Sequence, residues 1–270
     1  MAEQLGSEHH EWVITGDEVA DRWSEVVRFY GEPVGDAATI NIFLLAERAK
    51  EYVPLLLTGD GGDEVFAGYP WYKIARDWRL PFAAGHSVWP VGGMALSFVP
   101  GRGNPRTFGN TFDSLAGVFF ETSWWERQTF MEKALSVAEI WWLTRGCVDR
   151  SLITGVNWGI RLPEHCQSAL ARMQALDIMN ILPEKFCMKT YKASAAAGIP
   201  ITSPFLDPAV IEFAFRLSPK CRLNGKTEKW ILREAFAGCG PPENMIRKKQ
   251  GFGTPVAEWF SQRKFGAMTA

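Results

Sequence analysis

The chain is 270 residues long, 47% hydrophobic and 22% charged, with a formal net charge of −1. These values are ordinary for a globular protein of one large domain or two small ones. The near-neutral balance argues against nucleic acid or an acidic membrane surface as a partner, and no run of about 18 apolar residues offers a membrane span.

In chain order, the first residues have the pattern of a helix end. LGSEHHEWVIT (5–15) links them to a short strand, with turn signals at Gly16-Asp17. Residues 17–30 carry Val19, Trp23, Val26, Val27 and Tyr30 at helical spacing. GEPVGD (31–36) breaks that helix with Gly and Pro, and a second helix is expected over 38–50. VPLLL (53–57) is short, wholly apolar and ended by a turn, the pattern of a buried strand. Helix, apolar strand, glycine turn and helix together predict an α/β domain with parallel strands.

Residues 69–106, rich in Trp, Pro and Gly, are expected to be irregular with short helices. Residues 111–180 have mostly helical periodicity, interrupted at 145–147 and 155–165. A helix over 166–182 should end at Pro183, and another is expected over 184–198. PITSPFLDP (200–208) is an extended link. Residues 208–217 form an amphipathic helix with Val210, Ile211, Phe213, Ala214 and Leu217 on its apolar side. NGKTEKWILREAF (224–236) is expected to be a helix opened by Asn-Gly. PPENMIRKKQGFGTPVAEWF (241–260) closes the readable pattern, and no internal repeat is present.

The five cysteines, Cys147, Cys166, Cys187, Cys221 and Cys239, are odd in number and none sits at C-x-x-C spacing. This predicts reduced thiols and a cytoplasmic location, not a disulfide framework or a zinc site. His9 and His10 are adjacent and would point to opposite faces of a strand, so they would not share a metal. No secretory leader pattern is expected at the start.

The chemistry concentrates in LLLTGDGGDEVFAGYP (55–70). A strand runs into a turn carrying Asp60, Asp63 and Glu64 among glycines. In an open parallel sheet, ligands sit beyond the carboxyl ends of the strands. Three carboxylates there would repel a bare phosphate, but not one bridged by Mg²⁺, which takes one or two carboxylates plus nucleotide phosphates. Gly59, Gly61 and Gly62 would let the backbone approach closely. The same composition also fits simple capping, because Asp and Glu are favourable in the first turn of a helix. The turn alone leaves both readings open.

A second feature is basic. IRKKQGFG (246–253) carries Arg247, Lys248 and Lys249, with Lys229 and Arg233 upstream. Such cations can offset polyphosphate charge and a developing oxyanion. They equally suit a solvated basic turn.

LTGDGGDEVFAGYP, SPFLDPAVIEFAFRL, KTEKWILREAF and RKKQGFGTPVAEWF, in this order, resemble the synthetase domain of glutamine-hydrolysing asparagine synthetases. LGSEHHE and EPVGDAATI resemble earlier segments of the same family. The domain is shared with β-lactam synthetase, carbapenam synthetase and lasso-peptide cyclases. The resemblance implies an α/β fold of the adenine-nucleotide α-hydrolase type, a three-layer parallel sheet with large helical content. It implies one synthetase domain over residues 1–270, ATP and Mg²⁺ as cofactors, and activation of a carboxylate as an acyl-adenylate for attack by an amine or ammonia. Carried over by position, Asp63 matches a Mg²⁺ ligand and Asp60 a base or positioning group near the nucleophile. Thr58 and Gly59 match backbone contacts to nucleotide, and Lys229 a lysine near pyrophosphate. Lys249 matches the lysine that stabilises the adenylation and acyl-transfer transition states.

The sequence also departs from the family pattern. The pyrophosphate loop SGGxDS does not occur, and the second residue is Ala2 where a glutaminase domain would begin with a cysteine nucleophile. The expectation is a domain fragment lacking the first strands of the fold and the glutaminase domain, completed by the rest of a longer protein or by a partner chain bearing the loop. In YKASAAAGIPITSPFLD (191–207), Tyr191, Lys192, Pro200 and Thr202 stand where the family has Asp, Arg, Glu and Arg. The leading expectation is an ATP-dependent amidoligase acting by default on aspartate. The alternatives are a non-catalytic binding or assembly module, and a family ligase acting on another carboxylate, as in peptide cyclisation or sugar-acid amidation.

Overall fold

The structure, a computed structural model, describes residues 2–32, 36–76, 143–145, 147, 162, 166–240 and 253–261. The helices are α1 (Ala2–Leu5), α2 (Gly16–Tyr30), α3 (Ala38–Ala49), α4 (Gly62–Phe66), α5 (Trp71–Arg76) and α6 (Ala169–Leu176). A π-helical run (Asp177–Cys187) leads into α7 (Met188–Ala197), followed by a 3₁₀ turn (Pro204–Leu206), α8 (Pro208–Arg216), α9 (Pro219–Arg222), α10 (Trp230–Ala235) and α11 (Val256–Ser261). The strands are β1 (Leu56–Leu57), β2 (Ile201–Thr202), β3 (Leu223–Asn224) and β4 (Thr227–Glu228). The chain divides into two compact units, residues 1–68 with 180–270, and residues 69–179.

In the first unit α2 begins one residue before the expected start. Thr15 is extended and its side chain accepts from the N–H of Glu18, so Gly16 opens the helix and is not part of a turn. Gly31, left-handed at φ 69, ends it by donating to the carbonyl of Val27. Val19, Ala20, Val26 and Tyr30 of α2 meet Ile40, Phe43, Leu44 and Ala46 of α3. Ala193 and Ala197 of α7, then Ile199 and Trp259, complete this core. The small residues of α7 let it lie close on the other two helices, and burial of the large apolar side chains contributes about 1.5–3 kcal/mol each.

Lysines fix the position of α7. Lys189 Nζ lies 2.6 Å from Asp36 Oδ2, and its backbone carbonyl accepts from the Tyr30 hydroxyl. Lys192 Nζ donates to the Tyr30 carbonyl at 2.8 Å and pairs with Glu32 at 2.5 Å. Burial, aided by the charge of Asp36, raises the Tyr30 phenol to about 12, against the lowering effect of its hydrogen bonds. It therefore stays a neutral donor.

Among the described residues the parallel sheet is a single two-stranded pair. β1 and β2 pair in parallel, Leu56 with Ile201 and Leu57 with Thr202. The N–H groups of Leu56 and Thr58 donate to the carbonyls of Pro200 and Thr202, each at 2.9 Å. Only Leu56 packs on the helical core, whereas Leu55 and Leu57 are 45% and 66% exposed. The expectation of a wholly buried strand over 53–57 fails because successive side chains face opposite ways and the core lies on the Leu56 side. Residues 7–15 contain no strand, so the short strand expected there is absent.

Two further expectations are corrected. Pro183 does not separate two helices: helical winding runs from Ala169 to Ala197, and the widened π turns contain the proline. Proline lacks an N–H and its ring crowds the preceding turn, and a local change of winding accommodates both. Asn224-Gly225 opens no helix. It belongs to an antiparallel hairpin, β3–β4, whose Gly225 sits at φ 56, and the helix starts only at Trp230. Asn-Gly between short strands is a hairpin signal, and it outweighed the helical spacing that follows.

In the second unit α5 packs on α6. Tyr72 is fully buried and its hydroxyl donates to Asp177, while Tyr69 stacks on Trp71 at 4.0 Å. The expectations for 77–142, and most of those for 146–165, fall outside the described residues. Among the described residues no helix is long and apolar enough to cross a membrane.

The Asp36–Lys189 pair gives a test of how α7 is held. Burial alone would raise the Asp36 carboxyl, but hydrogen bonds from Lys189 and the Ala38 N–H, with the charges of Lys189 and Lys185, outweigh it and hold the group below its ordinary 3.8. A depressed folded value means the stabilisation is present above the unfolded pKa and is lost as pH falls through the folded one. Asp36→Asn should cost about 1.5–3 kcal/mol in urea unfolding at pH 7. The gap to the parent protein should close below pH 3.8.

Candidate functional site

The strand-end turn is built by its neighbours on β2. Beyond the last ladder bond at Thr58, the Ser203 hydroxyl donates to the Asp60 carbonyl at 2.6 Å, and Ser203 is buried. The Thr58 hydroxyl donates to Asp60 Oδ2 at 3.1 Å, so the Asp60 side chain folds back over the turn. Gly61 is left-handed at φ 83, and a Cβ there would lie 2.3 Å from Leu206 Cδ2. At Gly62 a Cβ would lie 3.1 Å from Phe205. Gly61 is therefore favoured where the PFL segment closes on the turn, while a side chain at Gly62 would need Phe205 to shift by a few tenths of an ångström. A Cβ on Gly59 would meet nothing within 4 Å, so the chain is open at that point.

The three carboxylates diverge. Glu64 is 2% exposed, on the inner side of α4. Asp63 is partly exposed, with Oδ1 2.9 Å from Lys229 Nζ. Cys187 and Tyr191 lie one helical turn apart, where the π segment passes into α7, and both feel Asp60. Burial pushes the Cys187 thiol up to about 11, with the negative charges of Asp60 and Glu64 adding to the effect. Tyr191 is raised by burial first, then by Cys187 and Asp60. The thiol and the phenol are thus held protonated beside carboxylates. The lysines of α7 are directed elsewhere, to Asp36, Glu32 and the Tyr30 carbonyl.

Of the residues singled out in the sequence, Thr58, Gly59, Asp60, Asp63 and Lys229 lie on or against this turn. The N–H of Thr58 is committed to the Thr202 carbonyl and its hydroxyl to Asp60, which leaves its carbonyl for any ligand. Lys249 lies outside the described residues. Ser203, Gly68, Cys187 and Tyr191 join the site although the chemistry of the turn did not point to them. SPFLD and the Gly-Tyr-Pro after α4 were visible only as blocks of the resemblance, with no role attached to Ser203 or Gly68.

The donor set can be judged against Mg²⁺. Among the described residues no three His, Cys, Asp or Glu side chains converge on one point. An all-protein cage is therefore not what these residues form. A single partly exposed carboxylate, Asp63, fits an ion that brings phosphate oxygens as its other ligands.

Comparison with known proteins decides the lineage. The family model for asparagine synthase matches residues 1–269. The chain belongs to the asparagine synthase family. That family implies the adenine-nucleotide α-hydrolase fold, and the helix-rich first unit with its parallel β1–β2 pair is in keeping with it. A putative glutamine-hydrolyzing asparagine synthetase of Mycobacterium bovis is 27% identical over 271 residues, covering 96% of this chain and 38% of the relative. Asparagine synthetase 1 (glutamine-hydrolyzing) of Bacillus subtilis is 26% identical, covering 96% of this chain and 40% of the relative. Asparagine synthetase B of Escherichia coli is 36% identical over 81 residues, 29% of this chain and 15% of the relative. The chain thus spans about two fifths of the length of the first two relatives.

The electrostatics of the family member's turn can be read chemically at Cys187. Asp60→Asn removes one of the charges that raise this thiol, so its pKa should fall below about 11. Alkylation of Cys187 by iodoacetamide at pH 9, followed by peptide mass mapping, should be faster in the variant. An unchanged rate would mean that Asp60 does not face the thiol.

Proposed function

We propose that this chain is the ATP-dependent synthetase part of an amide-forming ligase, with aspartate as the default carboxylate and ATP and Mg²⁺ required. The observation that carries the reading is the turn at the carboxyl end of β1, where Asp60 and Asp63 are held apart and Asp63 meets Lys229. Opposite charges at a strand end suit a metal–polyphosphate ligand.

In this reading a carboxylate oxygen bonds to the α-phosphorus of ATP and pyrophosphate leaves. An amine or ammonia nitrogen then bonds to the acyl carbon and AMP leaves with the electron pair. Asp63 would hold Mg²⁺, which when bound neutralises phosphate charge. Lys229 binds the departing pyrophosphate, and Lys249 stabilises the charge that develops in both the adenylation and the acyl-transfer transition states. Asp60 takes the proton from the attacking amine. Thr58 and Gly59 line the nucleotide through their backbone, the carbonyl of the first and the open chain at the second.

We take residues 1–270 as a fragment of one synthetase domain. Because the relatives are named as glutamine-hydrolyzing and this chain spans about two fifths of their length, we assign nitrogen supply and the phosphate loop to another part of the protein or a partner. A second reading keeps the chemistry but changes the carboxylate. Its support is Tyr191 beside Asp60, a phenol where the family pattern has an acid. ATP–pyrophosphate exchange with a panel of carboxylates separates the two, and exchange with aspartate alone rejects the second.

Two substitutions test the assignment. Asp63→Ala should weaken Mg·ATP binding by about tenfold or more in calorimetry, the loss expected of a charged ligand. Lys249→Ala should lower carboxylate-dependent exchange in the intact assembly by about 10²–10³, with little change in nucleotide binding. Equal Mg·ATP affinity in Asp63→Ala would remove the metal assignment.

A further inference from the structure

The approach of Lys229 to Asp63 is built into the backbone on both sides. Lys229 itself is left-handed, φ 51 and ψ 36, an uncommon conformation for a residue with a side chain. Ala67 is also left-handed, at φ 58, and this returns the Gly68 N–H to the Asp63 carbonyl at 2.8 Å. Gly68 then fills the space under the ion pair. A Cβ there would lie 1.9 Å from Asp63 Oδ1 and 2.4 Å from Lys229 Cε. The absence of a side chain at 68 is what lets the ammonium reach the carboxylate. The pair is partly shielded, with side-chain exposures of 32% and 23%, so salt screens it less than a surface pair.

We propose that Lys229 guards Asp63 against bare divalent cations and releases it only when nucleotide phosphates arrive to receive the ammonium. The inference rests on the reading of Asp63 as the metal ligand. A lone Mg²⁺ would have to displace the ammonium, remain beside its charge, and find no further cluster of protein ligands among the described residues. Mg·ATP changes both conditions, since its phosphates supply oxygen ligands to the ion and an anionic seat for Lys229. The ion then enters with the nucleotide rather than before it. Gly68 is the positioning residue for this exchange and touches no substrate.

The test uses Mn²⁺ as a paramagnetic probe, titrated into the chain with and without ATP and followed by electron paramagnetic resonance. Without ATP, Lys229→Met should bind Mn²⁺ about fivefold more tightly than the parent protein, the scale of a partly exposed ion pair. With ATP the order should reverse, because the variant has lost its phosphate contact. Lys229→Arg, which keeps the charge, should restore weak binding of the bare ion. Lys229→Met binding bare Mn²⁺ no more tightly than the parent would overturn the proposal. Asp63→Asn separates this result from failure of the underlying reading. If Mn·ATP binding ignores Asp63, the metal assignment falls and the exchange with it. If binding depends on Asp63 but the reversal is missing, the exchange alone falls.

Discussion

One hydrogen bond, from the buried Ser203 hydroxyl to the Asp60 carbonyl, ties the ends of two parallel strands across 143 residues of chain. The ladder bond from Thr58 to Thr202 sets the register that allows it. With these in place the turn is close-packed at Gly61 and Gly62, where an added Cβ would meet Leu206 and Phe205. A carbonyl left without its donor in this partly buried position would cost about 1–3 kcal/mol, and the turn would lose its anchor.

The placement of charge follows the same logic. Three carboxylates within five residues cannot share one space without a cation, so the turn separates them. Glu64 goes inward, Asp60 turns back onto Thr58, and Asp63 reaches Lys229. On the far side of α7, Lys189 and Lys192 are pinned to Asp36, Glu32 and the Tyr30 carbonyl. The face of this helix segment toward Asp60 therefore carries a neutral thiol and a neutral phenol. Asp63 and Lys229 thus form an ion pair at the turn, while Asp60 has the thiol and the phenol as its neighbours.

Helices with a strong apolar face were legible. α2, α3 and α8 lie within a residue or two of where their spacing puts them, although on the apolar side expected for α8 only Ala214 is buried and Phe213 is 57% exposed. The strand over 53–57 was legible as a strand end and wrong as a buried strand, since coverage of each face depends on distant segments. Pro183 misled for a related reason. Its cost to an α-helix is local, but whether the chain breaks or widens into π winding is set by the packing around it. At Asn224-Gly225 the sequence holds a hairpin signal next to helical spacing, and the pairing of β3 with β4 decides between them.

By itself the sequence determined the membership in the asparagine synthase family, the acidic turn after an apolar run, and the residue types available there. These follow from local order along the chain, which composition and spacing record directly. Only the tertiary structure decided which carboxylate meets which partner. Lys229 and Asp63 are 166 positions apart, Ser203 and Asp60 are 143 apart, and both contacts exist because β2 lies beside β1 and Gly68 leaves room. Such pairings depend on closing long loops at fixed register, and no local pattern encodes them.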